Sequence, residues 1–304
     1  MEELTINPLD IKQILVGLAL DANEEGILKF LRFFAGRVHP RSIHFLHIIP
    51  DYHSPGVSAA SMKEEWKSGL QLRADLKGIL EETAREGIPE EVCHNLTTEI
   101  LEGNPLEVLL DSVASQGAEM VFIGKHADRT HHGIEPGRLA RRVPVDTCVV
   151  PDTSSGQINH ILVPIDFSEN SIRALHKAIA LKESMSQPCE LTVMHIYELP
   201  NFSLYRTSRN PDQWERMIEQ SKLEALDLFL NTHTGPHRDA VRSAVVKKDL
   251  PGLPQYILHE AESRDANLVV MGAKGHSKVE LVLMGSVTEK VVRETESIPV
   301  WVVK

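Results

Sequence analysis

The chain has 304 residues, 42% of them hydrophobic and 25% charged, with a formal net charge of −11. That length suits two domains of about 150 residues each, and the acidic balance argues against a nucleic-acid or anionic-membrane surface. No run approaches the roughly 20 apolar residues of a membrane helix, and the segment from Met1 to Ile11 is not basic then apolar, as a signal peptide would be.

Taken in chain order, apolar runs recur at nearly one offset. Ile14–Gly17 returns as Ile161–Pro164, Ile43–Ile48 as Leu191–Ile196, and Met120–Gly124 as Leu268–Gly272, at 147, 148 and 148 residues. Three ordered matches indicate a duplicated domain and not a solenoid repeat. Pro151–Gly156, rich in Pro, Ser, Gly and Asp, reads as the linker, which sets domains at 1–151 and 158–304. Within the second copy, short β-branched runs (Ile161–Ile165, Leu191–Ile196, Val241–Val246, Leu268–Met271, Val300–Val303) alternate with amphipathic stretches. Ser168 caps the first of these helices, with Ile172, Leu175 and Ile179 on one face. Asp212 and Glu215 have capping-box spacing ahead of a helix carrying Trp214, Met217, Ile218, Leu226 and Phe229. The expected fold is α/β: two tandem, doubly wound, parallel five-stranded sheets of Rossmann-like type, covered on both faces. Ligands of such sheets sit at the carboxyl ends of the strands, where strand order reverses. Cys93, Cys148 and Cys189 show neither CxxC nor zinc spacing and read as buried free thiols of a cytoplasmic protein.

The fourth strand of the second copy runs into Met271-Gly272-Ala273-Lys274-Gly275, and Gly285-Ser286 follow, giving G-x2-G-x9-G-S. Glycines let a backbone approach a ligand closely. Successive N–H groups form a nest for phosphate oxygens, and a helix opening at Ser286 adds its N-terminal amides. Ser286-Val287-Thr288-Glu289 is also a capping box, so each feature alone has a structural reading. Together, at a strand end, they point to an anion site.

With these residues the chain resembles a tandem member of the universal stress protein family, whose ATP-binding subgroup carries G-x2-G-x9-G-(S/T). The resemblance implies a five-stranded doubly wound sheet in each half and ATP, with or without Mg, in the second. It places Pro164, Ile165 and Asp166 against adenine and ribose, the backbone of Ile196 at the adenine edge, and Met271, Gly272 and Gly275 around ribose and phosphates. Gly285, Ser286, Val287 and Thr288 would hold the terminal phosphates. Asp166 equally reads as a turn or cap carboxylate. Because the family commonly pairs domains through the last strand, Asp146–Val150 and Val300–Val303 are expected to pair within one molecule as a pseudo-dimer, with a homodimer of chains as a further option.

The first copy departs from the pattern. Gly124 and Gly137 remain, but Ala127 replaces the second glycine, Arg138 the serine and Ala19 the strand-end aspartate. It reads as a structural or ligand-altered domain. His126, His131 and His132 crowd its loop without a recognisable metal spacing. His44, His47 and His195 read as satisfied strand histidines. The stretch Ser54–Gly87, with Trp66, Leu70 and Leu76, reads as a helix. The preferred function is an ATP-binding stress-response regulator with one nucleotide per chain and no catalytic residue. The alternatives are a scaffold that binds no nucleotide and a slow ATPase, for which Asp166 and His276 are the nearby groups.

Overall fold

A computed structural model of the chain describes residues 5–21, 24–50, 61–126, 135–200, 211–249, 252–275 and 284–304, the side chains of 61–70 and 211 apart. Two compact units result: Asp10–Gln157, and Ile158–Lys304 together with Met1–Leu9.

The first unit alternates β1 (Gln13–Gly17), α1 (Glu25–Val38), β2 (Ser42–Pro50), α2 (Ser61–Gly87), β3 (Leu96–Gly103), α3 (Pro105–Gln116), β4 (Met120–Lys125), α4 (Pro136–Arg142) and β5 (Asp146–Pro151). Its strands pair in the order β3-β2-β1-β4-β5, all parallel. The strands are apolar throughout because both faces are covered. On one face Leu15, Leu46, Val121 and Ile123 pack against Leu106, Leu109 and Val113 of α3, Leu139 of α4 and Val143, which follows α4. On the other, Phe122 meets Phe34 of α1 edge-on at 5.3 Å and Phe30 at 6.4 Å between ring centres. The helix ends follow local chemistry. Asn104 caps α3 by accepting from the Leu106 and Glu107 amides, Pro105 occupies the first helical position, and Gly117 ends the helix at φ 61°.

The second unit repeats the alternation with β6 (His160–Ile165), α5 (Glu169–Glu183), β7 (Glu190–Glu198), α6 (Pro211–His233), β8 (Arg242–Lys248), α7 (Leu253–Ser263), β9 (Leu268–Gly272), α8 (Ser286–Glu294) and β10 (Val300–Val303). The order is β8-β7-β6-β9-β10, again parallel. Ser168 caps α5, its hydroxyl accepting from the Ser171 amide. The Asp212 expectation differs: α6 begins at Pro211, so Asp212 lies inside the first turn and favours the helix through its charge at the N-terminus. Met217 of the same helix is 44% exposed and belongs to the solvent face.

All three cysteines are buried free thiols, and burial raises their pKa values. The strand histidines are satisfied. His44 Nδ1 lies 2.8 Å from Thr97 Oγ1. His47 Nδ1 donates to the Leu18 carbonyl at 2.9 Å and His195 Nδ1 to the Ile165 carbonyl at 3.1 Å. Each of the last two ties the end of a first strand to its neighbour, in each unit at corresponding positions. Among the described residues no helix is long and apolar enough to cross a membrane.

Candidate functional site

Strand order reverses between β6 and β9, so their carboxyl ends form the switch point of the second unit. The ladder between them is short. It pairs Ile161 with Leu268 and Leu162 with Val269, and stops. In the first unit the corresponding ladder continues to Gly17 and Ile123. Pro164 explains the difference. The His160 carbonyl accepts from Asn267 on the β9 side, while the Asn159 carbonyl accepts from Glu190 on the β7 side. Residues two apart on a parallel strand address the same neighbour. Position 164 therefore faces β9, where the next rung needs its N–H, and proline has none. Gly17, at the same place in β1, keeps that N–H. The carboxyl ends of β6 and β9 are thereby released from each other where the glycine loop begins.

Asp166, Gly275 and the start of α8 stand around this gap. Asp166 follows β6. Its Oδ1 accepts from the Ser168 amide at 3.1 Å and from the Ser171 hydroxyl at 2.5 Å, while its own amide donates to Ser171 Oγ at 3.1 Å. A Cβ built on Gly275 would stand 2.3 Å from Asp166 Oδ2. One carboxylate oxygen thus braces the turn into α5, the structural reading of Asp166, and the other faces Gly275. Phe167 supplies the bend between them in a left-handed conformation, φ 63°, which costs a non-glycine residue about 1–2 kcal/mol. Its ring is held against His195 at 4.4 Å and Phe229 at 5.3 Å. Burial lowers the His195 pKa, with Lys222 adding to the effect, and the bond to Ile165 opposes it. Because a carbonyl only accepts, the His195 proton sits on Nδ1.

The glycines separate by role. A Cβ on Gly272 would lie 2.7 Å from Asn170 Cβ and 2.8 Å from its carbonyl carbon and oxygen, so this glycine lets α5 pack on β9. Gly272→Ala is expected to destabilise the second unit by about 1–3 kcal/mol through overpacking. Urea unfolding measures this, and an unchanged midpoint would contradict the contact. At Gly285 the backbone is ordinary, φ −74° and ψ 151°. A Cβ there would meet nothing closer than the Ala273 oxygen at 3.6 Å and Gly275 N at 3.8 Å. Among the described residues neither strain nor packing requires glycine at 285, and the residue borders the loop.

Gly285 is also the N-cap of α8, its amide donating to the Ala273 carbonyl at 2.7 Å. Ser286 is therefore the first helical residue, exposed, and not the cap that the capping-box spacing allowed. The first intrahelical bond runs from Glu289 N to Gly285 O, so the amides of Ser286, Val287 and Thr288 lie ahead of the helix's own ladder. Thr288 is 4% exposed and its hydroxyl donates to the Gly272 carbonyl at 2.9 Å, so its side chain braces the loop. Ile165 and Met271 are 6% and 5% exposed. Ile196 is half-buried at the end of β7, in register with Val246. His276 lies outside the described residues.

In the first unit α4 has seven residues against nine in α8. Its N-cap is Glu135, Gly137 is already helical and buried, and Arg138 is exposed. Ala127, His131 and His132 lie outside the described residues. Among the described residues no group of three His, Cys, Asp or Glu side chains could hold a metal ion.

A doubly wound parallel sheet with a glycine loop and a helix N-terminus at its switch point defines an α/β protein of Rossmann-like class. Residues 157–304 match the sequence profile of the Universal stress protein family, and this half of the chain is a domain of that family. The chain is 27% identical over 151 residues to the universal stress protein YxiE of Bacillus subtilis, an alignment covering 48% of this chain and 99% of YxiE. A crystal structure of a universal stress protein from Archaeoglobus fulgidus superposes with a TM-score of 0.60 at 18% identity, covering 98% of this chain and 97% of that one. A universal stress protein in complex with cAMP is 14% identical, with a TM-score of 0.35, over 47% of this chain and 98% of that one.

Proposed function

We propose that the second unit holds one ATP and that the chain is a nucleotide-binding regulatory protein, with the first unit as its non-binding companion. The observation that carries this reading is the meeting of Asp166 Oδ2, Gly275 and the α8 N-terminus beside a ladder that Pro164 stops at Leu162. Three leading amides of a helix attract phosphate oxygens, and the helix dipole adds a positive partial charge there. A glycine at 285, free of any packing demand, lets the loop backbone come close to those oxygens. Asp166 Oδ2 is placed to accept from a ribose hydroxyl. Ile165 and Met271, being buried, contribute main chain rather than side chain, as does Ile196.

Phosphoryl-transfer chemistry needs metal ligands and a residue that orients the nucleophile. Asp166 is committed to bracing its turn, which favours holding nucleotide over turning it over. Calorimetry on the purified full chain, with ATP, ATP with Mg, and cAMP as separate titrants, tests the reading. One ATP site per chain is expected. Two equal sites, no site, or a site that takes cAMP and refuses ATP would overturn it.

A further inference from the structure

At the 147-residue offset, Asp166, Phe167, Ser168 and Ser171 correspond to Ala19, Leu20, Asp21 and Glu24. Leu20 keeps the left-handed bend, φ 58° against 63° at Phe167. The source of the carboxylate has changed. In the second unit it stands at the strand end, and the Ser171 hydroxyl accepts the Asp166 amide from the helix side. In the first unit the strand end is Ala19, and the carboxylate arrives from the helix side. Glu24 Oε1 accepts the Leu20 amide at 2.6 Å, and the Ala19 amide bonds to the same carboxyl. The acid has been transposed across the turn, not lost.

Glu24 is 7% exposed. Among the described residues it makes no ion pair. The charged groups around it are acidic on its own side of the turn. Asp21 faces it, and His126 at the end of β4 pairs with Asp21 at 3.4 Å. Glu25 is engaged by Lys29 at 2.5 Å. From the far side, the backbone of Asp152 packs on Gly26 and its amide donates to the carbonyl of Lys125. Two amides can hold a neutral carboxyl group in such a place. Among the described residues no cation pairs with it, as a buried anion there would need.

We propose that Glu24 is a proton-binding latch of the first unit: protonated, it stays folded onto the Ala19 and Leu20 amides and holds the bend; ionised, it is driven toward water and releases that bend. The latch is independent of nucleotide in the second unit. Burial pushes the Glu24 pKa up from 4.5 to about 7, the Leu20 amide opposing and Asp21 reinforcing the rise. The folded state then binds the proton more tightly than the unfolded chain. This contribution to stability is complete below about pH 4.5 and is lost as pH rises through about 7, by roughly a few hundredfold in the folded-to-unfolded ratio.

Amide exchange at Leu20 in the wild-type full chain tests the latch, corrected for the intrinsic pH dependence. Protection is expected to fall at least about tenfold between pH 6 and 8, with the Glu24 carboxyl titrating near 7 by carbon-13 NMR. In Glu24→Gln, which cannot ionise, protection stays flat and the stability decline disappears. A carboxyl midpoint near 4.5, or flat Leu20 protection in the wild type, overturns the proposal. Both readouts come from the wild-type chain, so they decide the matter even where the variant fails to fold.

Discussion

Gly275→Val is expected to lower ATP affinity by about 100-fold or more, some 3 kcal/mol, while the chain stays folded. The first side-chain carbon would stand 2.3 Å from Asp166 Oδ2. The carboxylate cannot simply swing away, because Oδ1 is tied to the Ser168 amide and the Ser171 hydroxyl. The branched chain therefore displaces the acid from its place beside Gly275. Titration calorimetry reads the loss and circular dichroism the fold. Unchanged affinity would remove the loop from the site. Comparison with Gly272→Ala sharpens the result, since that variant acts on packing against Asn170 and shows first in unfolding.

Phe122→Ala is expected to destabilise the first unit by about 3–5 kcal/mol, the range for large aromatic truncations in a core. Phe122 is fully buried, and its ring is the common contact of Phe30 and Phe34. The side chains left behind belong to α1 and cannot collapse inward without moving the helix off the sheet. Denaturant unfolding measures the loss. ATP affinity should be unaffected, because the residue lies in the other unit. A coupled loss of affinity would argue against a nucleotide held by the second unit alone.

Much of this was legible in the sequence, for identifiable reasons. Parallel strands covered on both faces must be apolar along their length, so Ile161–Ile165 and Leu268–Met271 announced themselves. The Ser168 cap and the glycine spacing are local chemistry and survive folding unchanged. What the sequence could not convey depends on neighbours brought from elsewhere in the chain. That Gly272 is demanded by Asn170, whereas no described residue demands Gly285, needs the approach of α5. The capping box at Ser286 was misplaced by one residue because Gly285 can take the cap conformation without a side chain. Glu24 carries no such signature, because its carboxylate reaches the turn from the helix side, five residues from the strand-end position that Ala19 holds.

Pro164 also decides what holds the second sheet together at its switch point. Hydrogen-bond rungs transmit displacement from strand to strand, and the β6–β9 rungs end at Leu162. Beyond that line, the β9 end is restrained by the links from Thr288 to Gly272 and from Gly285 to Ala273, which join it to α8 and not to β6. Along this seam the two strands lack hydrogen bonds, and the packing of α5 on Gly272 through Asn170 is what spans it. The first sheet is stitched through to Gly17 and Ile123 at the same place. One imino acid thus leaves the switch point of one unit joined by helix packing, where the other is joined by hydrogen bonds.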